Sequence, residues 1–337
     1  MIAPLAKLAD WLFIQKSCSG KPSIDRQTLR LEEAIQFLNG PDFIFAESQP
    51  AKIEFISDQT GDFRFPTPRP SGFVENNTVY GRLYRCKEHW QARPTIILLH
   101  GGNVMFGRRS SLGYRFKYPR MARRCNRAGF NAVTLELPYN FQRHPRQFSA
   151  TKSIDYLRMA EAVAQAIAEI RALTGWLLKE GSPAVALWGG SLGGWLAGLT
   201  VCRDKRLAAV VMTAPTVHSN SSYADWIANR KAREAWQAVL QADEALDTTP
   251  FNLLSSKPVI PREKILLIGG IHDLLCPMKP IDELRQLWGQ PDIWRLPHGH
   301  ISTAVIASMP GLSGRVLRWL SPRVLANKNK RNPSHRI

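Results

Sequence analysis

Length, composition and charge already exclude several classes of protein. The chain has 337 residues, of which 44% are hydrophobic, so it has enough apolar material for a large core and is not an intrinsically disordered chain. No apolar run reaches the ~20 residues of a membrane-spanning helix, and the formal net charge of +18 indicates attraction to anionic partners.

The cysteines and the amino terminus bear on where the protein resides. Five cysteines are an odd number, and no C-x-x-C pair occurs among them, which indicates reduced thiols rather than a disulfide framework or a metal site. Lys7 and Asp10 interrupt the apolar residues of the amino terminus, so the uninterrupted core of a signal peptide is missing. We therefore expect a cytoplasmic protein whose membrane association, if any, is limited to the surface.

Residues 1–72 are predicted to form a helical extension and a linker. The first helix is predicted over residues 1–13, and its apolar stripe contains Ile2, Leu5, Ala9 and Leu12. Such a stripe either packs on its own domain or lies in a membrane interface, and the sequence leaves both open. A second helix is predicted over residues 25–38. The proline-rich residues 63–72 predict an extended linker without regular structure.

Strands and helices then alternate along residues 73–320. The predicted strands are 78–84, 95–99, 132–135, 184–188, 207–212, 265–268 and 293–296, and the predicted helices among them are 115–128, 153–179 and 192–202. This alternation is typical of the α/β class and predicts a doubly wound, mostly parallel sheet. Residues 321–337 are predicted to be a basic tail, disordered from Arg323 onward.

A glycine-containing loop and a basic segment follow the strand at 95–99. The loop reads His100, Gly101, Gly102, Asn103, and its glycines let the backbone approach a ligand closely, although an ordinary glycine turn is the alternative. Positions 89–135 contain no acidic residue, and Arg108 and Arg109 follow the loop. Most arginines of residues 115–127 share one helix face, which is either solvated or attracts phospholipid, an acyl carrier or nucleic acid.

Ser191 is the strongest candidate for a reactive side chain. It follows a predicted buried strand and precedes a predicted helix, with Gly189 and Gly193 two residues to either side. A sharp strand-to-helix turn strains the backbone of its central residue and leaves no room for side chains at the flanking positions, so glycine is required there. The pattern predicts an exposed serine hydroxyl and places the amide of Leu192 at the start of a helix.

A nucleophilic serine needs a base to take its proton and an acid to orient that base. Asp273 comes shortly after the strand at 265–268, and His300 comes shortly after the strand at 293–296. Both therefore lie just past the carboxyl ends of late strands, where the loops of an open α/β sheet converge. His298 is an alternative base, and Glu136 is an alternative acid.

In these places the chain resembles the alpha/beta-hydrolase superfamily. The resemblance covers about residues 73–320 and depends on the G-x-S-x-G turn at Ser191, the H-G-G loop at His100, the G-G-x-H-D segment at Asp273 and the G-H pair at His300. Two departures from the family pattern are His272, directly before Asp273, and His298. Shorter segments around Arg108 and Arg109, at 135–139 and at 143–145 are similar to a divergent branch of this superfamily that acts on lipids.

The resemblance implies a role for each of these residues. Ser191 is expected to be the nucleophile, His300 the general base and Asp273 the acid that orients it. The amide of Leu192 is expected to form the oxyanion hole with an amide of Gly102 or Asn103. A helical lid is expected over residues 218–258, and neither a metal nor an organic cofactor is required.

These observations predict a serine hydrolase that cleaves a carboxylic ester or a thioester through a covalent acyl-serine intermediate. Arg108 and Arg109 are expected to bind the anionic part of a small-molecule or lipid substrate, and the basic surface is expected to contact anionic membranes. The alternative is a non-catalytic protein of the same fold that binds anionic partners. Nucleic-acid binding is a weaker prediction, because no RNA- or DNA-binding motif accompanies the arginines.

Overall fold

One nine-stranded sheet runs through the part of the chain that the computed structural model describes, which comprises residues 2–17, 30–40, 49–86, 89–102, 112–146, 156–217 and 252–325. In chain order its strands are β1 (Glu54–Ser57), β2 (Asp62–Pro66), β3 (Thr78–Tyr84), β4 (Thr95–Leu99), β5 (Asn131–Leu135), β6 (Val185–Gly190), β7 (Leu207–Thr213), β8 (Ile265–Gly270) and β9 (Asp292–Leu296). The spatial order is β1-β2-β3-β5-β4-β6-β7-β8-β9. Strands β4 to β9 pair in parallel, whereas β1, β2 and β3 pair antiparallel with their neighbours. The predicted α/β class with a mostly parallel sheet is confirmed.

Helices cover both faces of this sheet. The described α-helices are α1 (Ile2–Ser17), α2 (Leu31–Asn39), α3 (Leu112–Arg127), α4 (Tyr156–Lys179), α5 (Leu192–Val201), α6 (Met278–Leu287), α7 (His300–Ile306) and α8 (Pro310–Leu325). Alternate residues of each central strand point to opposite faces. Ile97 and Leu99 therefore share one buried cluster with α2, α4, α5 and α6, while Ile96 and Leu98 share the other with α3 and α8.

The predicted linker over residues 63–72 is wrong in its first four residues. Strand β2 occupies Asp62–Pro66, and Phe63 and Phe65 are buried on one face of the sheet, while Arg64 points outward and pairs with Glu54. This apolar-polar alternation is the period-2 pattern of a strand, and it outweighs the proline content because Pro66 stands at the strand end. Strands β1 and β2, which precede the predicted domain boundary at residue 72, therefore belong to the same sheet as the strands that follow it.

Two other predicted segments are described only in part. Residues 218–251, most of the expected lid over 218–258, lie outside the described residues, and the lid remains a prediction. At the carboxyl end, α8 continues to Leu325, and Arg323 donates hydrogen bonds to the carbonyl of Glu263 and to Asp292. The predicted disorder from Arg323 onward is therefore wrong for residues 323–325, and residues 326–337 lie outside the described part.

Helix α1 does not pack on the domain through the whole of its predicted apolar stripe. Two members of its predicted apolar stripe point away from the domain, because the side chains of Leu5 and Leu12 are 65% and 54% exposed. Among the α1 side chains that the structure describes, Ala6 and Asp10 are buried instead. None of the described helices is long and apolar enough to cross a lipid bilayer.

Candidate active site

Ser191 occupies a strained turn between β6 and α5. Its backbone has φ 53° and ψ −118°, in the positive-φ region that residues with a side chain rarely adopt. A Cβ atom added to Gly189 would lie 2.0 Å from the carbonyl oxygen of Gly193, and one added to Gly193 would lie 2.3 Å from the carbonyl oxygen of Leu99. Both flanking positions therefore require glycine.

The His300 ring lies between Ser191 and Asp273. The Ser191 hydroxyl is 3.0 Å from Nε2 of His300, and Nδ1 of the same ring is 2.9 Å from Oδ2 of Asp273. The other oxygen of Asp273 accepts hydrogen bonds from the backbone N–H groups of Leu275 and Cys276, at 2.8 and 2.7 Å. Both carboxylate oxygens are thus held in place, which fixes the orientation of the acid.

The groups around His300 determine its pKa. Burial by itself would lower the pKa of His300, but the Cys276 sulfur and the Asp273 carboxylate outweigh burial and hold this pKa well above its ordinary value of 6.5. Because burial also raises the pKa of the Cys276 thiol, that thiol is neutral near pH 7; its sulfur acts on His300 through a hydrogen bond, and the Asp273 carboxylate acts through its charge. In the neutral ring, Nδ1 donates to Asp273 and leaves Nε2 free to accept the Ser191 proton.

The two alternative residues make other contacts. Glu136 accepts hydrogen bonds from the backbone and side-chain amides of Gln142, both at 3.2 Å, and burial raises its pKa to about 7. The carbonyl oxygen of His298 accepts a hydrogen bond from the N–H of His272. The structure therefore brings Asp273 and His300 to Ser191, rather than Glu136 and His298.

The H-G-G loop begins beside the serine turn. A Cβ atom on Gly101 would lie 3.3 Å from Cβ of Ser191 and 3.2 Å from the carbonyl oxygen of Gly190, whereas one on Gly102 would lie near Asn140. The loop is held by the His100 ring, which donates from Nδ1 to the Gly101 carbonyl and accepts at Nε2 from the N–H of Leu137. Burial lowers the pKa of His100 to about 4, so this ring stays neutral. Asn103 lies outside the described residues, and the oxyanion amides of Leu192, Gly102 and Asn103 remain predictions.

A cavity opens next to Ser191 and His300. Its wall includes Leu99, Lys117, Tyr118, Trp188, Thr213 and Ala304. Lys117 donates a hydrogen bond of 2.7 Å from Nζ to the carbonyl oxygen of Ala304, and burial lowers its pKa to about 8. Lys117 therefore contributes to the wall of the same cavity as the predicted nucleophile. The sequence showed it only as one basic residue among many in α3.

Asp10 is a further residue at the site that was not predicted from the sequence. Its carboxylate is fully buried and accepts hydrogen bonds from the backbone N–H groups of Leu274, His300 and Ile301, at 3.1, 2.7 and 2.9 Å. The sequence signal was a single acidic residue in an apolar helix, which does not reveal partners more than 260 positions away.

The remaining predicted residues lie outside the site as described. Arg108 and Arg109 belong to residues 103–111, which the structure does not describe. On α3, Tyr118, Met121 and Cys125 are buried against the sheet, and Tyr118 and Met121 also line the cavity. Within the described ranges no group of three or more His, Cys, Asp or Glu side chains could hold a metal ion.

The chain matches a known family. The family model described as Alpha/beta hydrolase domain containing 18 matches residues 75–251. Two uncharacterized proteins, from strains CDC 1551 and H37Rv of Mycobacterium tuberculosis, are each 26% identical to the chain over 235 residues, 68% of this chain and 54% of each relative. The chain thus spans about half the length of the curated relatives it matches.

Solved structures share the fold at low sequence identity. The acetyl xylan esterase from Paenibacillus sp. R4 has a TM-score of 0.56 and 13% identity, over 92% of this chain and 98% of the esterase. The Pyrococcus furiosus esterase Pf2001 has a TM-score of 0.54 and 15% identity, over 83% and 99%. The acylaminoacyl peptidase of Pyrococcus horikoshii has a TM-score of 0.56 and 16% identity, over 86% of this chain and 43% of the peptidase. These likenesses confirm the alpha/beta-hydrolase type of the fold.

Proposed function

Because the chain belongs to the Alpha/beta hydrolase domain containing 18 family, we propose that it is a serine hydrolase that cleaves a carboxylic ester or a thioester. The observation that carries this proposal is the continuous hydrogen-bonded series from the Ser191 hydroxyl through the His300 ring to the Asp273 carboxylate. That series ends at a cavity in which an acyl group has access to the hydroxyl.

The reaction proceeds in two halves. Oγ of Ser191 attacks the acyl carbon and its proton passes to Nε2 of His300, which then donates this proton to the departing alcohol or thiol. The negative charge on the substrate oxygen is stabilised by the Leu192 amide and by an amide of Gly102 or Asn103. Water, deprotonated by the same His300 nitrogen, then attacks the acyl-serine, releases the acid and restores Ser191. Asp273 stabilises the imidazolium in both halves.

An anionic substrate is the second part of the proposal. The ammonium of Lys117 lines the same cavity as Ser191 and His300, and none of the described residues of the cavity wall is acidic. A partly buried cation in a cavity that lacks a carboxylate binds a substrate carboxylate or phosphate group through Coulomb attraction. Arg108 and Arg109, which follow the H-G-G loop in sequence, are expected to add to this attraction.

Contact with an anionic membrane surface is the third part, and it would bring lipid esters to the site. The side of α1 that faces away from the domain carries four exposed large apolar residues: Leu5, Leu8, Trp11 and Leu12. Such a face is typical of helices that lie in a membrane interface, and the net charge of +18 favours anionic headgroups. Sedimentation with phosphatidylglycerol vesicles tests this contact. We expect binding by the wild type and its loss in Leu8→Gln/Leu12→Gln, and equal sedimentation of both would exclude α1 as the contact.

Covalent labelling with a fluorophosphonate tests the catalytic proposal. We expect the wild type to be labelled and to hydrolyse short p-nitrophenyl esters, and Ser191→Ala to do neither while it keeps its melting temperature, since only one hydroxyl is removed. Ser308→Ala is the matched control, because that hydroxyl donates to the Val305 carbonyl and does not belong to the Ser191, His300 and Asp273 series. A wild type that is neither labelled nor active would favour the alternative of a non-catalytic binding protein.

A further inference from the structure

One side chain of the amino-terminal helix accepts hydrogen bonds from the two loops that carry the predicted base and acid. Asp10 of α1 is fully buried, and its carboxylate accepts backbone hydrogen bonds from Leu274, beside Asp273, and from His300 and Ile301. We propose that Asp10 is a positioning residue that holds the His300 ring and the Asp273 carboxylate in register with each other. This inference rests on the function proposed above.

The first step concerns the start of α7. The first N–H groups of a helix have no partner within the helix, and a side chain at the preceding position usually accepts them. The preceding residue here is Gly299, which has no side chain. Asp10 instead accepts from His300 and Ile301, so the cap of this short helix comes from a residue 290 positions away. A carboxylate at this end is also favoured by the helix dipole.

The second step concerns the acid loop. Oδ2 of Asp10 is shared between the N–H groups of His300 and Leu274. The backbone that carries the base and the backbone that follows the acid are therefore joined through a single oxygen atom. A bond from the N–H of His272 to the carbonyl of His298 joins the same two loops a few residues earlier. Removal of Asp10 would therefore loosen the spacing of His300 and Asp273 rather than separate them.

The third step concerns how α1 is held. A Cβ atom on Gly299 would lie 2.7 Å from Oδ2 of Asp10 and 2.9 Å from the carbonyl oxygen of Ala6, so only glycine lets α1 approach this closely. Among the α1 side chains that the structure describes, Leu5, Leu8, Trp11 and Leu12 are exposed, whereas Ala6 and Asp10 are buried. Hydrogen bonds from the site loops to Asp10 therefore help to hold α1 in place.

The experiment compares full-length variants by steady-state kinetics and by the rate of fluorophosphonate capture, alongside melting temperature. For Asp10→Ala we expect kcat and the capture rate to fall about 10- to 100-fold with KM nearly unchanged, because small displacements of catalytic groups cost this much while substrate contacts are retained. Asp10→Asn keeps one carbonyl oxygen as acceptor and should recover part of the loss. If Asp10→Ala is unstable, the kinetic loss is measured in the folded Asp10→Asn variant instead.

Asp204→Ala is the matched control. Asp204 is also buried and also accepts from a backbone N–H, that of Arg206, but it lies before the amino-terminal end of β7, whereas the site lies at the carboxyl ends of the strands. We expect it to lower the melting temperature and to leave kcat and the capture rate unchanged. Wild-type kcat in folded Asp10→Ala, or equal kcat losses in Asp10→Ala and Asp204→Ala, would overturn the inference. A wild type that is not labelled at all would instead overturn the proposed function.

Discussion

Two buried polar clusters lie on this sheet, and they differ in how completely they are closed. In the first, Arg143 and Glu169 have no solvent exposure and form two bonds of 2.6 and 2.8 Å. The Arg143 guanidinium also donates to the carbonyl oxygens of Glu136 and Asn76, and Thr67 donates to Glu169. Each charge thus has several protein partners, although Nε of Arg143 makes no hydrogen bond to a described residue.

The second cluster is Ser191, His300 and Asp273. Asp273 is as fully bonded as Glu169, but the series of hydrogen bonds ends at a serine hydroxyl that faces a cavity. The comparison teaches that burial and hydrogen bonding alone do not identify a reactive site. A closed cluster stabilises the fold, whereas a cluster with one end open to a cavity can exchange a proton with a bound molecule. The predictions below separate these two roles.

The largest expected effect follows from Asp273→Asn. An asparagine amide donates to Nδ1 of His300 and forces the proton to Nε2, so the ring can no longer accept from Ser191, and we expect kcat for p-nitrophenyl esters to fall about ten-thousand-fold. Glu136→Gln, at the alternative acid, should keep near-wild-type kcat. The reverse result would assign the acid to Glu136.

In the closed cluster, Arg143→Met should affect stability instead. It leaves Glu169 as an unpaired buried charge, which costs about 3–5 kcal/mol of unfolding free energy. Urea denaturation measures this loss, and the folded fraction should be labelled at the wild-type rate. Arg143→Met/Glu169→Leu removes both charges and should recover much of the stability. If kcat falls by more than the loss of folded protein explains, the closed cluster also acts in catalysis.

The pH dependence of kcat/KM tests whether His300 acts as the base. The base must be neutral, so activity should rise with pH, with a midpoint above 6.5 because the Asp273 carboxylate raises the pKa of His300. The stability contribution has the opposite direction: it is complete below pH 6.5 and is lost as pH rises through the raised pKa. Unfolding free energies of wild type and His300→Gln should therefore differ most in acid. A midpoint below 6.5 would contradict the assigned charge of Asp273.

The smallest expected effect concerns the cations around the cavity. Opposite charges about 4 Å apart near a surface are worth a few kcal/mol at most, and screening reduces the contribution of more distant ones. Lys117→Met should raise KM for an anionic ester more than for a neutral ester of equal acyl length. Arg108→Ala/Arg109→Ala should give a smaller difference that weakens as salt is added. Equal losses for both esters, independent of salt, would make these residues structural.

Most of what could be predicted came from local patterns in the sequence. The spacing of Gly189, Ser191 and Gly193 is a steric requirement of one turn, so it is readable without knowledge of the rest of the fold. The placement of Asp273 and His300 after late strands follows from the general rule that loops converge at the carboxyl ends of parallel strands. Strand β2 was missed because three prolines made residues 63–72 look like a linker, although only Pro66 lies in the strand and Phe63 and Phe65 alternate as a strand requires.

Long-range contacts could not be predicted in this way. The periodicity of α1 shows an apolar side, but which side faces the domain depends on Asp10 and on Gly299, which is far away in sequence. Lys117 looked like its neighbouring arginines until the fold placed Ala304 beside it. In both cases a tertiary partner, rather than local pattern, decides what the residue does.

The cap on α7 has a consequence for the order of events on the ribosome. Asp10 is synthesised 290 residues before His300, one of the amides that it binds. At a translation rate of 5–20 residues per second, the carboxylate waits about 15 to 60 seconds for this partner. A nascent chain therefore carries Ser191 well before it can complete the site. Hydrolytic activity is expected only once synthesis has passed residue 301 and the two ends of the chain have met.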